Sequence, residues 1–336
     1  MNWDLIGHAW AVDLLQEHIR RGQLRHAYLL TGPRGLGRRT LALAFAKAIT
    51  CSQPPAPGEF CDSCRNCIHI DRMEHPDLAV IQAEQEGGVL KVENIRDLQH
   101  SLALTPYEAS HRIALLLRFH EANPSAQNAL LKTLEEPAPQ VVLILTADSV
   151  ENLLPTIVSR CEVLRLRAVP VYDLEKALVE RGKAAGEQAR LFAHVASGRP
   201  GIAYTLSGNS DGLKLRNQRL EDIYRLLAAS RTERFTYVDH LFKDRGKERE
   251  TARGILLTWL SYWRDVLLQS AEASAPLENL DWAERIRSTS EWVGLSRARQ
   301  FVASIQRTQV CLDENVNARL ALEVLMLDLP FQEVRS

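Results

Sequence analysis

The sequence predicts an α/β plus all-α fold, in which one α/β domain is followed by helical domains, and three observations support this division. In the first half of the 336 residues, short apolar runs typical of buried strands alternate with segments that repeat apolar residues at helical spacing. After about residue 168 the strand pattern ends, and the pattern from about 210 to 329 is helical. The hydrophobic fraction of 46% and the charged fraction of 25% are ordinary for globular chains.

The strands of the α/β part are predicted from five apolar runs that polar segments separate. These runs are residues 26–31, 77–82, 112–117, 141–147 and 162–167. Helices are predicted over residues 39–49 and 92–104, and a third begins at Asn123-Pro124-Ser125 and ends before Pro137. Because strands separated by helices pair in parallel with right-handed crossovers, these elements predict one sheet covered on both faces.

The second half of the sequence predicts helices only. Small helices are expected over residues 170–206, around a turn at 197–201, and the most apolar helix and the last helix are expected at 251–271 and 315–329. The predicted domains are therefore residues 1–167, 168–207 and 208–336. The first domain carries a cysteine-rich insertion at about 51–67.

The charge balance and the apolar runs exclude some classes of protein. With 41 Lys and Arg against 42 Asp and Glu, the net charge is −1, which argues against a chain that binds nucleic acid alone by counterion release. The longest apolar runs are far shorter than the ~20 residues of a membrane-spanning helix. The N-terminal segment is charged and helical in pattern, unlike a signal peptide. We expect a cytoplasmic protein with no membrane partner.

Four of the six cysteines form a cluster with the spacing Cys-x9-Cys-x2-Cys-x2-Cys. They are Cys51, Cys61, Cys64 and Cys67. In a cytoplasmic chain such a cluster favours a metal site over disulfides, and four thiolates complete the tetrahedral shell of a structural Zn²⁺. A redox dithiol and an Fe–S cluster remain the alternatives. His69 is expected at the surface, since four cysteines already suffice.

A glycine-rich turn between the strand at 26–31 and the helix at 39–49 has the spacing of a phosphate-binding loop. Its candidate phosphate-binding residues are Gly32, Gly35, Gly37, Arg38, Arg39 and Thr40. Arg38 stands where the phosphate-binding Lys belongs, and Arg39 stands where the Ser or Thr that binds Mg²⁺ belongs. Thr40 comes one residue too late. Arg34, Arg38 and Arg39 therefore indicate either an anion site or a solvated basic rim.

The acidic residues that hold Mg²⁺ in a hydrolysing site would follow the strand at 112–117. Those places hold Leu117 and Arg118, while Glu121 lies beyond the strand and is expected to be a solvated loop charge. Thr146, in the next strand, is expected to satisfy a strand-end hydrogen bond. Because both parts of the Mg²⁺ machinery are missing, we predict that the chain hydrolyses no ATP alone, and we leave ATP binding open.

Several motifs occur in an order that carries a family resemblance. They are HAYLLTGPRG (26–35), the cysteine cluster, HPDL (75–78), TPYE (105–108), NALLKTLEEP (128–137) and Ser159-Arg160-Cys161. With these motifs the chain resembles, over nearly its whole length, the clamp-loader branch of the AAA+ ATPases. The resemblance implies a RecA-like AAA+ domain with a zinc module, a small helical lid and a helical collar that holds the subunits in a ring.

The same resemblance implies the partners. They are the gamma or tau motor subunits and the delta subunit and, through the complex, the sliding clamp and primed DNA, within the DNA polymerase III holoenzyme that replicates bacterial DNA. It also implies that Arg160 is an arginine finger, which reaches the γ-phosphate of ATP held by a neighbouring subunit. From the residues alone, Arg160 could instead cap a helix end.

Two other functions fit the sequence less well than a non-hydrolysing clamp-loader subunit. An ATP-hydrolysing motor subunit would keep the Lys, the Ser or Thr and the acidic pair, and it would carry an Arg in its lid where this sequence has Gly201. A zinc-ribbon protein that binds nucleic acid would need basic stripes, which the near-neutral charge disfavours.

Overall fold

The computed structural model describes residues 3–209, 211–242, 248–314 and 316–332. The chain divides into two compact units. The first runs up to Leu174 and includes Gly198–Gly201, and the second consists of Glu175–Ser197 and the chain from Ile202 onward. Helices α7 (Val171–Glu180) and α9 (Pro200–Gly208) both cross the boundary.

The first unit is a five-stranded parallel sheet with helices. Its elements are α1 (Ala9–Arg20), β1 (Ala27–Thr31), α2 (Arg38–Thr50), α3 (Arg65–Arg72), β2 (Leu78–Ile81), α4 (Val92–Leu102), β3 (Arg112–Leu116), a 3-10 turn (Phe119–Glu121), α5 (Pro124–Glu135), β4 (Val141–Ala147), α6 (Pro155–Val158) and β5 (Glu162–Arg165). The strand order is β2-β3-β4-β1-β5, and each neighbouring pair is parallel. All five predicted strands are confirmed, with ends that differ from the prediction by at most two residues.

The sheet has an apolar core on each face. In β4, Val142 and Ile144 belong to one buried cluster, whereas Leu143 and Leu145 belong to another. Side chains alternate between the two faces of a strand, so a strand covered on both sides must be apolar at every position. This explains why the sequence shows continuous apolar runs here instead of a polar and apolar alternation.

The second unit is helical in its described part. Its other helices are α8 (Gly186–Val195), α10 (Asp211–Ala228), α11 (Arg231–Leu241), α12 (Glu248–Ser270), α13 (Ala283–Asp313) and α14 (Ala318–Asp328), with a 3-10 turn at Leu280–Trp282. The largest buried side chains lie on α12 and α13, where the rings of Trp263 and Phe301 are 4.7 Å apart. Helix α13 is broken at Gly294, whose φ of 73° is the left-handed conformation that favours glycine.

Some helix ends differ from the prediction for local reasons. The predicted turn at 197–201 is shorter than expected, because Pro200 already begins α9 and its fixed φ suits a first helical turn. The last helix begins at Ala318 after Asn317, whose side chain accepts a hydrogen bond from the Leu320 N–H. Residue 315, where that helix was expected to start, lies outside the described residues. Among the described helices, none has the length and apolar character needed to cross a membrane.

Candidate functional site

The four clustered cysteines converge on one point in the structure. The Sγ atoms of Cys51, Cys61, Cys64 and Cys67 all lie within 4.8 Å of one another. Cys51 follows α2 and Cys64 is the N-cap of α3, so the ends of two helices bring the thiols together. Cys67 is buried and the other three are half-buried. His69, on the same short helix, is half-buried and does not belong to the group.

The spacing and the chemistry of the thiols are compatible with structural zinc. A Zn–S distance of about 2.3 Å in a tetrahedron separates the sulfur atoms by about 3.8 Å. Cys51 Sγ lies 3.6 Å from Cys61 Sγ and 3.9 Å from Cys64 Sγ. Burial acts to raise the pKa of Cys64, but hydrogen bonds from Cys67 and Ser52 outweigh it and lower that pKa to about 6. Hydrogen bonds with Ser63 lower the pKa of Cys61 as well, whereas burial raises the pKa of Cys51 and that of Cys67. A lowered pKa favours the thiolate, which is the form that binds metal.

A buried lysine anchors the cysteine-rich insertion to α2. Lys47 Nζ lies 2.6 Å from Asp62 Oδ1, 3.1 Å from Asp71 Oδ1 and 4.3 Å from the centre of the Phe60 ring. Burial acts to lower the pKa of Lys47, but its hydrogen bonds to both carboxylates more than compensate, and that pKa is raised. Lys47 therefore stays charged, and it joins both the insertion, through Asp62, and the end of α3, through Asp71, to the helix that follows the glycine-rich turn.

The glycine-rich turn lies between β1 and α2, as predicted. Gly32 has a φ of 140°, and a Cβ there would lie 2.5 Å from the Leu166 carbonyl oxygen, so only glycine fits. The Gly35 carbonyl accepts a hydrogen bond of 2.8 Å from the Gly201 N–H, at the start of α9. A Cβ on Gly201 would meet that same carbonyl oxygen at 3.1 Å. The backbone therefore has the sharp turn of a phosphate-binding loop, and one of its carbonyl groups is engaged within the chain.

The arginines of this turn have partners inside the protein. Arg38 is only 11% exposed, and its Nη2 lies 2.5 Å from Oδ1 of Asp148, which follows β4. Arg34 Nη1 lies 2.5 Å from Glu86 Oε1. Arg39 is exposed, with Nη2 3.8 Å from the Met73 sulfur. Gly37 is the N-cap of α2 and has a φ of 90°. Thr40, the last of the predicted phosphate-binding residues, lies in the first turn of α2 and is exposed.

The position after β3 carries an internal ion pair instead of acidic Mg²⁺ ligands. Leu117 is buried, and Arg118 Nε donates to both carboxylate oxygens of Glu121, at 2.9 and 3.0 Å. The Gly87 N–H donates to Glu121 as well. The Glu121 side chain is only 6% exposed, so the expectation of a solvated loop charge is wrong. The Arg-x-x-Glu spacing could have indicated this pair, since a 3-10 turn brings residues three apart together.

Thr146 has the role expected for it. Its Oγ1 accepts a hydrogen bond of 2.8 Å from the Arg118 N–H. This bond ties the end of β3 to β4, so the strand-end interpretation is confirmed.

Arg160 lies just after α6, with 36% of its side chain exposed. Its Nη2 lies 2.8 Å from Oε1 of Glu135, the last residue of α5, and its Nη1 donates to the Thr156 carbonyl at 3.0 Å. The sequence did not identify Glu135 as a partner. Within the described part of the chain, the Arg160 side chain contacts α5 and α6 and does not contact the glycine-rich turn.

The HPDL and TPYE motifs contact each other although about 30 residues separate them. The buried carboxylate of Asp77 accepts hydrogen bonds from the N–H groups of Tyr107 (2.6 Å), Glu108 (2.9 Å) and Ala109 (2.9 Å). Burial acts to raise the pKa of Asp77, but these three bonds outweigh it and lower the pKa. Asp77 thereby fixes the loop that follows α4, whose Tyr107 is 79% exposed.

Comparison with known proteins finds DNA polymerase III subunits among the relatives of this chain. A family model described as "DNA polymerase III, delta subunit" matches residues 7–170. The chain is 28% identical over 318 residues to DNA polymerase III subunit delta' of Bacillus subtilis, which covers 95% of this chain and 94% of the relative. It is 38% identical over 152 residues to subunit delta' of Pseudomonas aeruginosa, covering 45% of this chain and 46% of that protein. It is 31% identical over 189 residues to subunit tau of Bacillus subtilis, covering 53% of this chain and 33% of that protein.

Proposed function

The chain belongs to the clamp-loader family of bacterial DNA polymerase III subunits, and from that premise we propose that it is the delta-prime subunit of the complex. In this role it hydrolyses no ATP itself, and its Arg160 contacts the ATP that a neighbouring subunit holds. Its partners in this role are the gamma or tau motor subunits and the delta subunit. Through them it helps to load the sliding clamp onto primed DNA.

The observation that best supports the absence of hydrolysis is the Arg38–Asp148 ion pair. In a hydrolysing site, a Lys at position 38 binds phosphate oxygens and acidic residues after β3 hold Mg²⁺. Here the cation at that place already has a carboxylate partner at 2.5 Å. The place after β3 carries Arg118, whose charge is neutralised by Glu121. An Arg offers no acceptor oxygen and repels a divalent cation, so neither place serves Mg-ATP.

The support for an arginine finger is the exposure and the chemistry of Arg160. An arginine has five N–H donors in a rigid fork that matches phosphate oxygens. Two of these meet Glu135 and Thr156, and the side chain remains 36% exposed, so other donors are available to an external anion. The chain's own loop lacks the groups that hold Mg-ATP. A finger on this chain therefore acts on the ATP of another subunit.

We further propose that Cys51, Cys61, Cys64 and Cys67 hold one structural Zn²⁺. Four sulfur ligands leave no open position for catalysis, so the metal would fold the insertion and take no part in ATP chemistry. Lys47 then ties the folded insertion to α2. The module at about 51–67 is thus a stabilising element of the domain proposed for residues 1–167.

The collar role of the proposed third domain, residues 208–336, is supported by the exposed face of α14. Three large apolar residues at helical spacing are each more than half exposed: Leu320, Val324 and Leu327. The opposite face of the helix is buried, with Leu322, Leu325 and Met326 in the core. A helix that is apolar on two faces is expected to bury the second one against another chain.

The lid is proposed for residues 168–207.

The experiment that tests the finger is Arg160→Ala in the complex reconstituted with its motor and delta subunits. An arginine finger contributes about 10³–10⁵ in rate at its site in other systems. Because this finger would serve one ATP site among several, the DNA-stimulated ATPase rate of the complex should fall in part, while assembly and zinc content stay unchanged. Arg160→Lys should restore little, since a compact ammonium group cannot reproduce the forked guanidinium.

Arg165→Ala is the matched control. Arg165 lies five residues later, in β5, and is exposed. Its removal changes the net charge equally and should leave the ATPase rate at the wild-type value. If Arg160→Ala assembles normally and both clamp loading and ATP hydrolysis stay at wild-type rates, Arg160 caps a helix end and the finger assignment is wrong.

A further inference from the structure

At the surface, the Arg160 guanidinium forms an ion pair with Glu135, a carboxylate from a different helix. We propose that Glu135 is a positioning residue, which pre-orients the Arg160 guanidinium for the terminal phosphate of an ATP bound by the neighbouring subunit. The proposal rests on the finger role of Arg160 proposed above.

Two contacts hold the plane of the Arg160 guanidinium in one orientation. Nη2 meets Glu135 Oε1 at 2.8 Å, and Nη1 donates to the Thr156 carbonyl at 3.0 Å. Because these partners bind different nitrogens of a planar group, rotation about the last bonds of the side chain would break at least one contact. A free Arg side chain has many rotamers, and it loses this freedom when it meets a phosphate. Pre-orientation removes part of that cost before the subunits meet.

Both anchors belong to elements that are themselves fixed. Glu135 ends α5, whose Leu130 and Leu134 are buried in the core. Thr156 lies in α6, and the residue before that helix, Leu154, donates its N–H to the Oε1 of the buried Gln127 at 2.9 Å. Gln127 is part of α5, so this bond joins the two helices that hold Arg160. The two groups that hold the Arg160 guanidinium therefore belong to helices that are fixed by core packing, as a preorganised site requires.

The charge of Glu135 does not cancel that of Arg160 for an approaching anion. The Glu135 side chain is 51% exposed, so water screens its carboxylate. One carboxylate oxygen lies against one nitrogen, and the other donors of the guanidinium are not engaged by it. Glu135 can therefore hold the finger in place while the remaining N–H groups meet a phosphate.

The neighbouring residue provides a matched control. Glu136 has the same charge and follows Glu135 directly, but it is the C-cap of α5. It lines a groove of about 370 Å³ between α4 and α5, together with Arg96 and Lys132. In the described structure its contacts do not include Arg160. Removal of either glutamate changes the net charge equally, and only Glu135 is predicted to affect the finger.

The test measures kcat and KM for DNA-stimulated ATP hydrolysis by the reconstituted complex. Glu135→Ala should lower kcat at the affected site about two- to fivefold, the range of an exposed ion pair, with KM unchanged. Glu135→Gln should retain most of the rate, because its amide oxygen can accept the same hydrogen bond. Glu136→Ala should behave as wild type. With Arg160→Ala already present, Glu135→Ala should change nothing further, which a double-mutant cycle reports directly.

The possible failures can be told apart. If Arg160→Ala leaves the rate unchanged, the finger itself is wrong. If Arg160→Ala slows hydrolysis but Glu135→Ala does not, the finger stands and the positioning role is refuted. A faster rate for Glu135→Ala would mean that the carboxylate restrains the finger. An equal loss from Glu135→Ala in the presence and absence of Arg160 would mean that Glu135 acts through another residue. A faster rate and an equal loss would each overturn the proposal that Glu135 positions Arg160.

Discussion

Asp77→Asn should destabilise the first unit more than any exposed substitution, because the buried carboxylate serves three backbone donors. Oδ2 accepts the N–H groups of Glu108 and Ala109, and Oδ1 accepts that of Tyr107. An Asn side chain has one oxygen, which can keep the first pair, but its NH₂ group would then face the Tyr107 N–H. One charge-assisted bond is lost and one buried donor is left without a partner, which together cost about 2–4 kcal/mol.

The effect should depend on pH in a defined direction. The pKa of Asp77 is lowered in the folded chain, because its three N–H bonds outweigh the effect of burial. A carboxylate with a lowered folded pKa contributes stability above its unfolded pKa, which is about 3.9, and that stability is lost as the pH falls through the folded pKa. The free energy difference between wild type and Asp77→Asn should therefore be constant from about pH 5 to 7 and shrink below about pH 4.

Urea unfolding at several pH values and amide hydrogen exchange measure this prediction. The amides of residues 107–109 should lose protection in the variant at neutral pH, while β1 and β4 keep theirs. Asp97→Asn is the control, since Asp97 is an exposed aspartate on α4. Equal unfolding midpoints for Asp77→Asn and wild type at pH 7, with the three amides still protected, would refute the hydrogen-bond argument.

Three further predictions concern metal, nucleotide and assembly. Cys64→Ser should reduce bound zinc below about half an equivalent and lower the stability of the insertion without unfolding the sheet, because four ligands are needed for a closed tetrahedral site; full zinc content would contradict the ligand set. The isolated chain should show no Mg-ATP turnover above background, and a turnover that Gly37→Asp abolishes would disprove this. Leu320→Glu with Leu327→Glu should weaken binding to the motor subunits but leave the unfolding midpoint unchanged, since both side chains are more than half exposed; co-purification at wild-type affinity would exclude α14 from the interface.

The sequence predicts the strands and the cysteine cluster well, because each depends on local pattern. Continuous apolar runs follow from a sheet covered on both faces, and β4 is predicted to the residue. The cysteines lie within 17 residues of one another, so their spacing alone indicates a shared ligand.

The partners of charged residues could not be predicted in the same way. Glu121 is close to Arg118 in sequence, but its burial depends on the loop that contains Gly87, which packs over it. Glu135 and Arg160 are 25 residues apart and meet where α5 and α6 pack together, which the hydrogen bond between Gln127 and Leu154 supports. Such pairs depend on how helices pack, and a single sequence carries no periodic signal for that.

The hydrogen bond between Gly201 and Gly35 joins the glycine-rich turn to the start of α9, because the Gly35 carbonyl accepts the Gly201 N–H at 2.8 Å. A Cβ on Gly201 would lie 3.1 Å from the Gly35 carbonyl oxygen and 3.2 Å from the Gly35 Cα, so a side chain at position 201 would require the turn to shift by a few tenths of an ångström. The turn and position 201 are therefore coupled, and a larger residue at position 201 is expected to be tolerated best when the turn changes with it.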